Sequence, residues 1–208
     1  MRHKCLILAC LLLAGGMLCV ADEFLHPRPM PRVLFPANGS VVESGPFEVI
    51  ALAAEKEDGS FETLPLQVDG KDHPWQSYAL PVCIAHLELP PGEHYLSLGI
   101  YDVMFFVAGS EITPPKDWPV AKAHAGAEAW QKCGLCHETT PQDGQTVLGM
   151  HKGWEACSPC HPASDVAAKH NHSEPPLRDC ASCHAVHGAT EEHLLRAPQK
   201  QLCATCHR

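Results

Sequence analysis

The motif Cys-x-x-Cys-His occurs four times in the last third of this chain, at Cys133-Cys136-His137, Cys157-Cys160-His161, Cys180-Cys183-His184 and Cys203-Cys206-His207. Two thiols at this spacing can add across the vinyl groups of a haem, and the imidazole that follows can bind its iron from one face. That is the signature of c-type haem attachment. A CxxC pair alone carries little weight, because redox pairs and zinc ribbons share it. Here every pair is followed by His, which neither of those chemistries requires. The first cysteines lie 24, 23 and 23 residues apart, so the motifs also form an internal repeat. A zinc site joining two pairs, or a disulfide framework, would leave the four histidines to coincidence. The expected cofactors are four covalently attached c-type haems, with His137, His161, His184 and His207 as iron ligands.

The first residues agree with that chemistry. Arg2, His3 and Lys4 precede a mostly apolar run from Cys5 to Val20, and small residues close it before Asp22. The pattern predicts a secretory signal peptide over residues 1–21. The run is short for a membrane span and no stop-transfer pattern follows, and no later stretch could cross a bilayer. A lipid-bearing cysteine fits poorly, since Cys10 comes early and bulky Leu18 precedes Cys19. Export is expected because c-type maturation takes place outside the cytoplasm, with the periplasm as destination or, alternatively, the cell surface or the extracellular space.

Charge is unevenly shared along a chain of net charge −9. Residues 22–111 carry 4 basic and 14 acidic side chains, against 9 and 10 in residues 112–208. Such a surface argues against nucleic acid or an anionic membrane as partner and fits docking to a basic patch.

Residues 22–111 read as a β-sandwich with a Pro-rich lead-in. Pro27, Pro29, Pro31 and Pro36 disfavour helix at the start. Short apolar runs then alternate with turn residues, from Val33-Leu34-Phe35 before Asn38-Gly39 to Val103–Val107, and predict six or seven strands of an antiparallel sandwich. Cys83, inside Val82-Cys83-Ile84, is expected as a small buried hydrophobe. His73, His86 and His94 have no Cys or acidic companion at metal spacing and are read as turn or strand-surface residues.

Residues 112–119 form a Pro-rich linker, with Pro114, Pro115 and Pro119. Residues 120–208 form the expected haem domain. Val120 to Lys132 is Ala-rich and suits a helix. Beyond it the periodic apolar pattern fades, so short helices are expected at each motif and loops elsewhere, with the haems themselves forming the core.

Each iron has a second axial position, and its ligand separates electron transfer from catalysis. Residues 112–208 hold six further histidines: His124, His151, His170, His172, His187 and His193. His124, His151 and His172 precede a motif's first cysteine by nine, six and eight residues, and His187 follows His184 by three. These four are the expected distal ligands. His170 competes with His172, and His193 with His187. Which of them serves which iron cannot be read from their order. Met150 adjoins His151 and ranks behind it, while Met104 lies in an apolar strand and is expected in the core. All-imidazole ligation predicts potentials lower than those of Met/His cytochromes.

Two stretches resemble known families. Leu89-Pro90-Pro91-Gly92-Glu93-His94-Tyr95-Leu96-Ser97-Leu98, running on to Tyr101-Asp102, resembles the late hairpin of bacterial immunoglobulin-like domains. Cys180-Ala181-Ser182-Cys183-His184-Ala185-Val186-His187-Gly188, followed by Leu194-Leu195-Arg196 and Leu202-Cys203-Ala204-Thr205-Cys206-His207, resembles the doubled-CxxCH domain of multihaem cytochromes c. His172 with Pro175 is similar to the His-bearing approach usual in that family. The resemblance implies closely stacked bis-His haems and electron transfer with other redox proteins: cytochromes, a reductase or a quinol-oxidising complex. The fold class expected is therefore two-domain, an N-terminal all-β immunoglobulin-like sandwich joined to a haem-organised module of short helices and loops.

The function expected is that of an exported tetrahaem electron carrier with the sandwich as docking or assembly module. A self-assembling subunit of a cell-surface cytochrome filament is a second reading. A multihaem reductase of a small nitrogen or sulfur oxyanion is a third, and it would need an open iron. No catalytic residue is singled out.

Overall fold

The computed structural model describes residues 30–124, 133–142, 144–151, 153–162, 164 and 180–207. The expected signal peptide, His170 and His172 lie outside the described residues, as do the side chains of Met150 and His151.

Residues 32–107 build two facing sheets. The first has the strand order β1 (Arg32–Phe35), β3 (Phe47–Leu52), β9 (Val82–Leu87) and β8 (Ser77–Ala79), all antiparallel. The second runs β2 (Ser40–Val42), β11 (Tyr101–Val107), β10 (Gly92–Leu98), β6 (Leu66–Val68) and β7 (Lys71–His73). A small hairpin of β4 (Ala54–Glu55) and β5 (Phe61–Glu62) stands apart. The described strands outnumber the six or seven expected, because two- and three-residue strands leave no readable alternation. One pairing also departs from the expectation: β2 runs parallel to β11.

Strand β10 shows why these residues form a sandwich. His94, Leu96 and Leu98 are buried, while Glu93 and Tyr95 point to solvent, the period of two that a half-buried strand requires. Phe105 of β11 is fully buried and meets Phe47 edge-on at 5.7 Å. Strand β9 breaks the alternation because both its faces are covered. Val82 and Ile84 point to one face, Cys83, Ala85 and Leu87 to the other; all but Cys83 join the main core, while Cys83 packs with Ala53 and Leu80 in a second cluster, beside Phe61 and Trp75. Burial pushes the Cys83 thiol up to about 12. It is the inert small hydrophobe expected, since the thiolate is the reactive form.

His94 departs from the strand-surface role expected of it. It is 5 % exposed, its Nδ1 lies 2.7 Å from Asp69 Oδ2, and its Nε2 lies 2.8 Å from the Pro90 carbonyl. Asp69 is 25 residues away in sequence and reaches His94 only when β6 and β10 pair. Asp69 Oδ1 also accepts from the Tyr95 amide at 2.9 Å. His86 instead stands at the surface, 3.5 Å from Glu48.

The linker is bound to the sandwich. The Val41 amide donates to the Pro119 carbonyl at 2.9 Å, and the Ala121 amide to the Val41 carbonyl at 2.7 Å. Residues 119–121 thereby extend the second sheet beyond β2, and Ala121 is buried in the main core. Val120 and Lys122 sit in β-bridges, so the described start of the segment expected as a helix is extended instead. Residues 125–132 of that segment lie outside the described residues.

The described part of residues 112–208 holds one element that the sequence reading missed. Strands β12 (His137–Gln142) and β13 (Gln145–His151) form an antiparallel hairpin where loop was expected. Its helices are short: α1 (Cys133–Cys136), α2 (Trp154–Cys157) and α3 (Gln199–Cys206), with 3-10 turns at Cys180–Ser182 and Glu192–Leu194.

Partial burial pushes the Asp69 carboxyl up, but the Tyr95 amide and His94 outweigh it and hold the group below its ordinary value of 3.8. The unfolded chain therefore takes up that proton more readily than the folded one. This contribution to stability is fully present above the ordinary value and is lost as pH falls through the lower folded value. Asp69→Ala strips a buried His94 and a backbone amide of their acceptor, and is expected to cost about 1–3 kcal/mol at neutral pH. Urea unfolding of the full chain at neutral pH and in acid checks both statements: the gap between wild type and variant should narrow in acid.

Candidate functional site

A haem-binding CxxCH needs both sulfurs and the imidazole on one side of a single backbone turn. Positions i, i+3 and i+4 meet on one face when that turn is helical. Three motifs close the turn with the same bond, from the histidine amide to the first cysteine's carbonyl. It measures 2.9 Å for His161 to Cys157, 2.8 Å for His184 to Cys180 and 2.8 Å for His207 to Cys203. In the first motif Cys133 and Cys136 begin and end α1, directly before His137. Cys133 is half-buried against the sandwich core. Burial pushes its thiol above the ordinary 9.0, and the neighbouring Cys136 adds to the shift. The donor set fits covalent haem attachment: sulfurs for thioether bonds, and beside them an imidazole for iron.

Two of the motif imidazoles are oriented by backbone carbonyls. His137 Nδ1 lies 3.1 Å from the Gly149 carbonyl, and His184 Nδ1 lies 2.8 Å from the His193 carbonyl. A carbonyl can only accept, so Nδ1 carries the proton and Nε2 the lone pair that a metal needs. Such an outer partner fixes both the tautomer and the ring direction of a metal-binding histidine.

The second carbonyl comes from a residue considered as a ligand. His193 is exposed and has a positive φ of 57°, as does Leu194 at 55°. The bend turns the His193 carbonyl back toward His184. The Ala185 amide donates to the Leu194 carbonyl at 2.7 Å, the Arg196 amide to the Cys183 carbonyl at 2.8 Å, and Arg196 Nε to the Ala181 carbonyl at 2.6 Å. Residues 193–196 thus clamp the third motif, and His193 serves it through its backbone. Sequence reasoning missed this role because a carbonyl leaves no mark in residue type.

The structure brings two of the expected distal histidines to motif histidines. The ring centres of His137 and His187 lie 6.0 Å apart with planes 20° from parallel. Those of His124 and His161 lie 6.1 Å apart at 80°. The backbone of His151 lies opposite His137 in the β12–β13 register. His207 is exposed at the end of α3.

Both segments around the His137–His187 pair rest on the sandwich. The Leu80 amide, just past β8, donates to the Thr146 carbonyl at 2.9 Å, and the Leu148 amide to the Leu80 carbonyl at 2.6 Å. Strand β13 therefore continues the first sheet in parallel with that edge, and Leu148 enters the main core. Ala189, two residues after His187, exchanges amide–carbonyl bonds of 2.7 and 3.0 Å with Lys122. Gly188 lies flat on Phe35, where a Cβ would stand 2.5 Å from the ring.

Residues 174–208 match the family model of the doubled CXXCH motif. The match takes in the third and fourth motifs, a minor part of the chain. It indicates covalent c-type haem binding and points to a multihaem c-type cytochrome that takes part in electron transfer. Neither the curated proteins nor the solved structures contain a match to the chain.

Gly188 offers a direct probe of this docking. Its φ of +137° disfavours any side chain, and Phe35 leaves no room for one. Gly188→Ala is expected to destabilise the assembled protein by about 1–3 kcal/mol and to loosen the His187 segment. Thermal melting followed by haem absorption and by far-ultraviolet dichroism checks this, with the haem transition moving further than the β transition.

Proposed function

We propose that the chain is an exported tetrahaem electron carrier whose irons are each held between two imidazoles. The observation that carries the reading is the pairing of a motif histidine with a non-motif histidine at about 6 Å, found twice, beside the doubled CXXCH match. Bound haem supplies a ferric/ferrous couple; the protein sets its potential through ligands, burial and hydrogen bonds. The residues in this reading are Cys133, Cys136, Cys157, Cys160, Cys180, Cys183, Cys203 and Cys206 for attachment. His137, His161, His184 and His207 bind on the proximal side, with His124, His151, His172 and His187 opposite.

The supply of imidazoles favours irons closed on both faces, hence electron transfer over chemistry on a bound substrate. His137 and His184 serve it through an Nδ1–carbonyl bond that holds the ring in one direction as the iron changes charge. Export is supported by the haem chemistry and by the leader-like first residues. No helix among the described residues is long and apolar enough to cross a membrane. The sandwich carries most of the excess acidic charge, which suits a redox partner with a basic docking face.

Intact mass with absorption and EPR spectra of the exported holoprotein tests the reading. Four haem masses and low-spin ferric signals are expected. Replacing Cys203 and Cys206 by Ala should lower the count to three and leave the remaining irons low-spin. A polypeptide mass without haem, or zinc in place of a Soret band, would overturn the proposal.

A further inference from the structure

Resting on the haem reading above, we infer that the axial ligands cross between motifs: His187 of the third motif's segment caps the iron of the first haem, and His124 caps the iron of the second. Two imidazoles bound end-on to one metal, each by a bond of about 2 Å, bring their ring centres to about 6 Å. The observed separations are 6.0 Å for His137–His187 and 6.1 Å for His124–His161. Offset-stacked or edge-on aromatic pairs span about 4.5–7 Å between centres, so the near-parallel His137–His187 pair also has the geometry of an offset stack. Aromatic contact could account for either separation taken alone. It does not account for both pairs matching one proximal histidine with one distal candidate. The Gly149 carbonyl on His137 Nδ1 leaves Nε2 as that ring's metal-binding atom.

The chain's own reach excludes the simpler assignment for His187. His184 must face the haem attached through Cys180 and Cys183. For His187 to cap the same iron, three residues would have to pass around the edge of the porphyrin to its opposite face. Three extended residues span at most about 11 Å, and this segment is not extended. The Gly188 amide donates to the Ala185 carbonyl at 2.9 Å, closing a turn between the two histidines. His187 is held in that turn by Gly188 on Phe35 and by Ala189 on Lys122, beside the hairpin that carries His137. The sequence cannot reveal this, because the CxxCH-x-x-H spacing assigns His187 to no particular iron.

Crossed ligation sets the haem order in space. His184 and His187 bind different irons from one short turn, so the first and third haems are neighbours, although the second motif lies between theirs in sequence. The sandwich also becomes part of the first haem site, since the segments bearing both of its ligands dock there.

The test combines His187→Ala with removal of the first haem by Cys133→Ala and Cys136→Ala, in the full exported holoprotein. Haem count is read by intact mass and spin state by EPR. In the wild-type background, His187→Ala should turn one iron high-spin without loss of haem mass. In the background lacking the first haem, it should add no high-spin signal. An equal rise in both backgrounds, or none in either, would overturn the assignment while leaving the haem reading intact. Absence of covalent haem from the wild type would overturn the haem reading itself. If His187→Ala fails to accumulate, His187→Met keeps a ligand in place. It should raise the potential of one haem, and that change should vanish in the background lacking the first haem. Persistence of the raised potential there would overturn the assignment. His124→Ala with Cys157→Ala and Cys160→Ala tests the second pair in the same way.

Discussion

The hydrogen bond from His137 Nδ1 to the Gly149 carbonyl joins the chemistry of this protein to its fold. An imidazole can present either nitrogen, and a proximal ligand must present one of them in a fixed direction. The carbonyl settles both matters for His137. It can do so because Gly149 lies in β13, paired across the hairpin with the strand that His137 begins. Strand β13 in turn bonds to Leu80 and sends Leu148 into the sandwich core. The direction of one ring nitrogen is thus fixed by a sheet that begins some hundred residues earlier. The third motif reaches the same end with other means, a left-handed bend at His193 and Leu194 in place of a hairpin.

This arrangement answers a problem of size. The described helices of the haem half run to between four and eight residues, and none contains a buried residue. Isolated helices shorter than about 12–15 residues are marginal in water, because nucleation is costly and packing must compensate. The polypeptide supplies little packing here: among the described residues of 112–208, Leu148 and Ala121 are the buried apolar ones, and both lie against the sandwich. Covalent cofactors and the neighbouring sheets are the sources of cohesion that remain. Contact with the sandwich is therefore part of what holds the first motif's hairpin in place.

The sandwich was legible in the sequence because its burial follows a short period. Leu96 and Leu98 alternate with Tyr95 and Ser97, and Pro90-Pro91-Gly92 marks the turn before them. Its minor strands were not legible, because two or three residues cannot show a period. The β12–β13 hairpin was missed although Asp143-Gly144 is a strong hairpin signal between Thr139-Thr140 and Val147-Leu148. The expectation of loops between motifs outweighed it. The motif cysteines and histidines were plain, since covalent chemistry fixes their types and spacing. The partners of His137 and His184 were not, since backbone carbonyls are the same in every residue. His94 was misread because Asp69 becomes its neighbour only through the pairing of β6 with β10.

Strand edges explain why the two halves fit together. Each sheet of the sandwich has two edges, and an uncovered edge invites pairing with another chain. The edge at β7 is short and carries exposed Lys71 and Asp72, and β1 opens on exposed Arg32. The other two edges, β8 and β2, lack charged residues. The haem half covers both, with β13 alongside the end of β8 and residues 119–121 alongside β2. These short segments bind there through backbone amides and carbonyls, with Leu148 and Ala121 adding buried apolar contact. The sandwich gains protected edges, and the haem-bearing segments gain fixed positions. The two needs are met by the same hydrogen bonds.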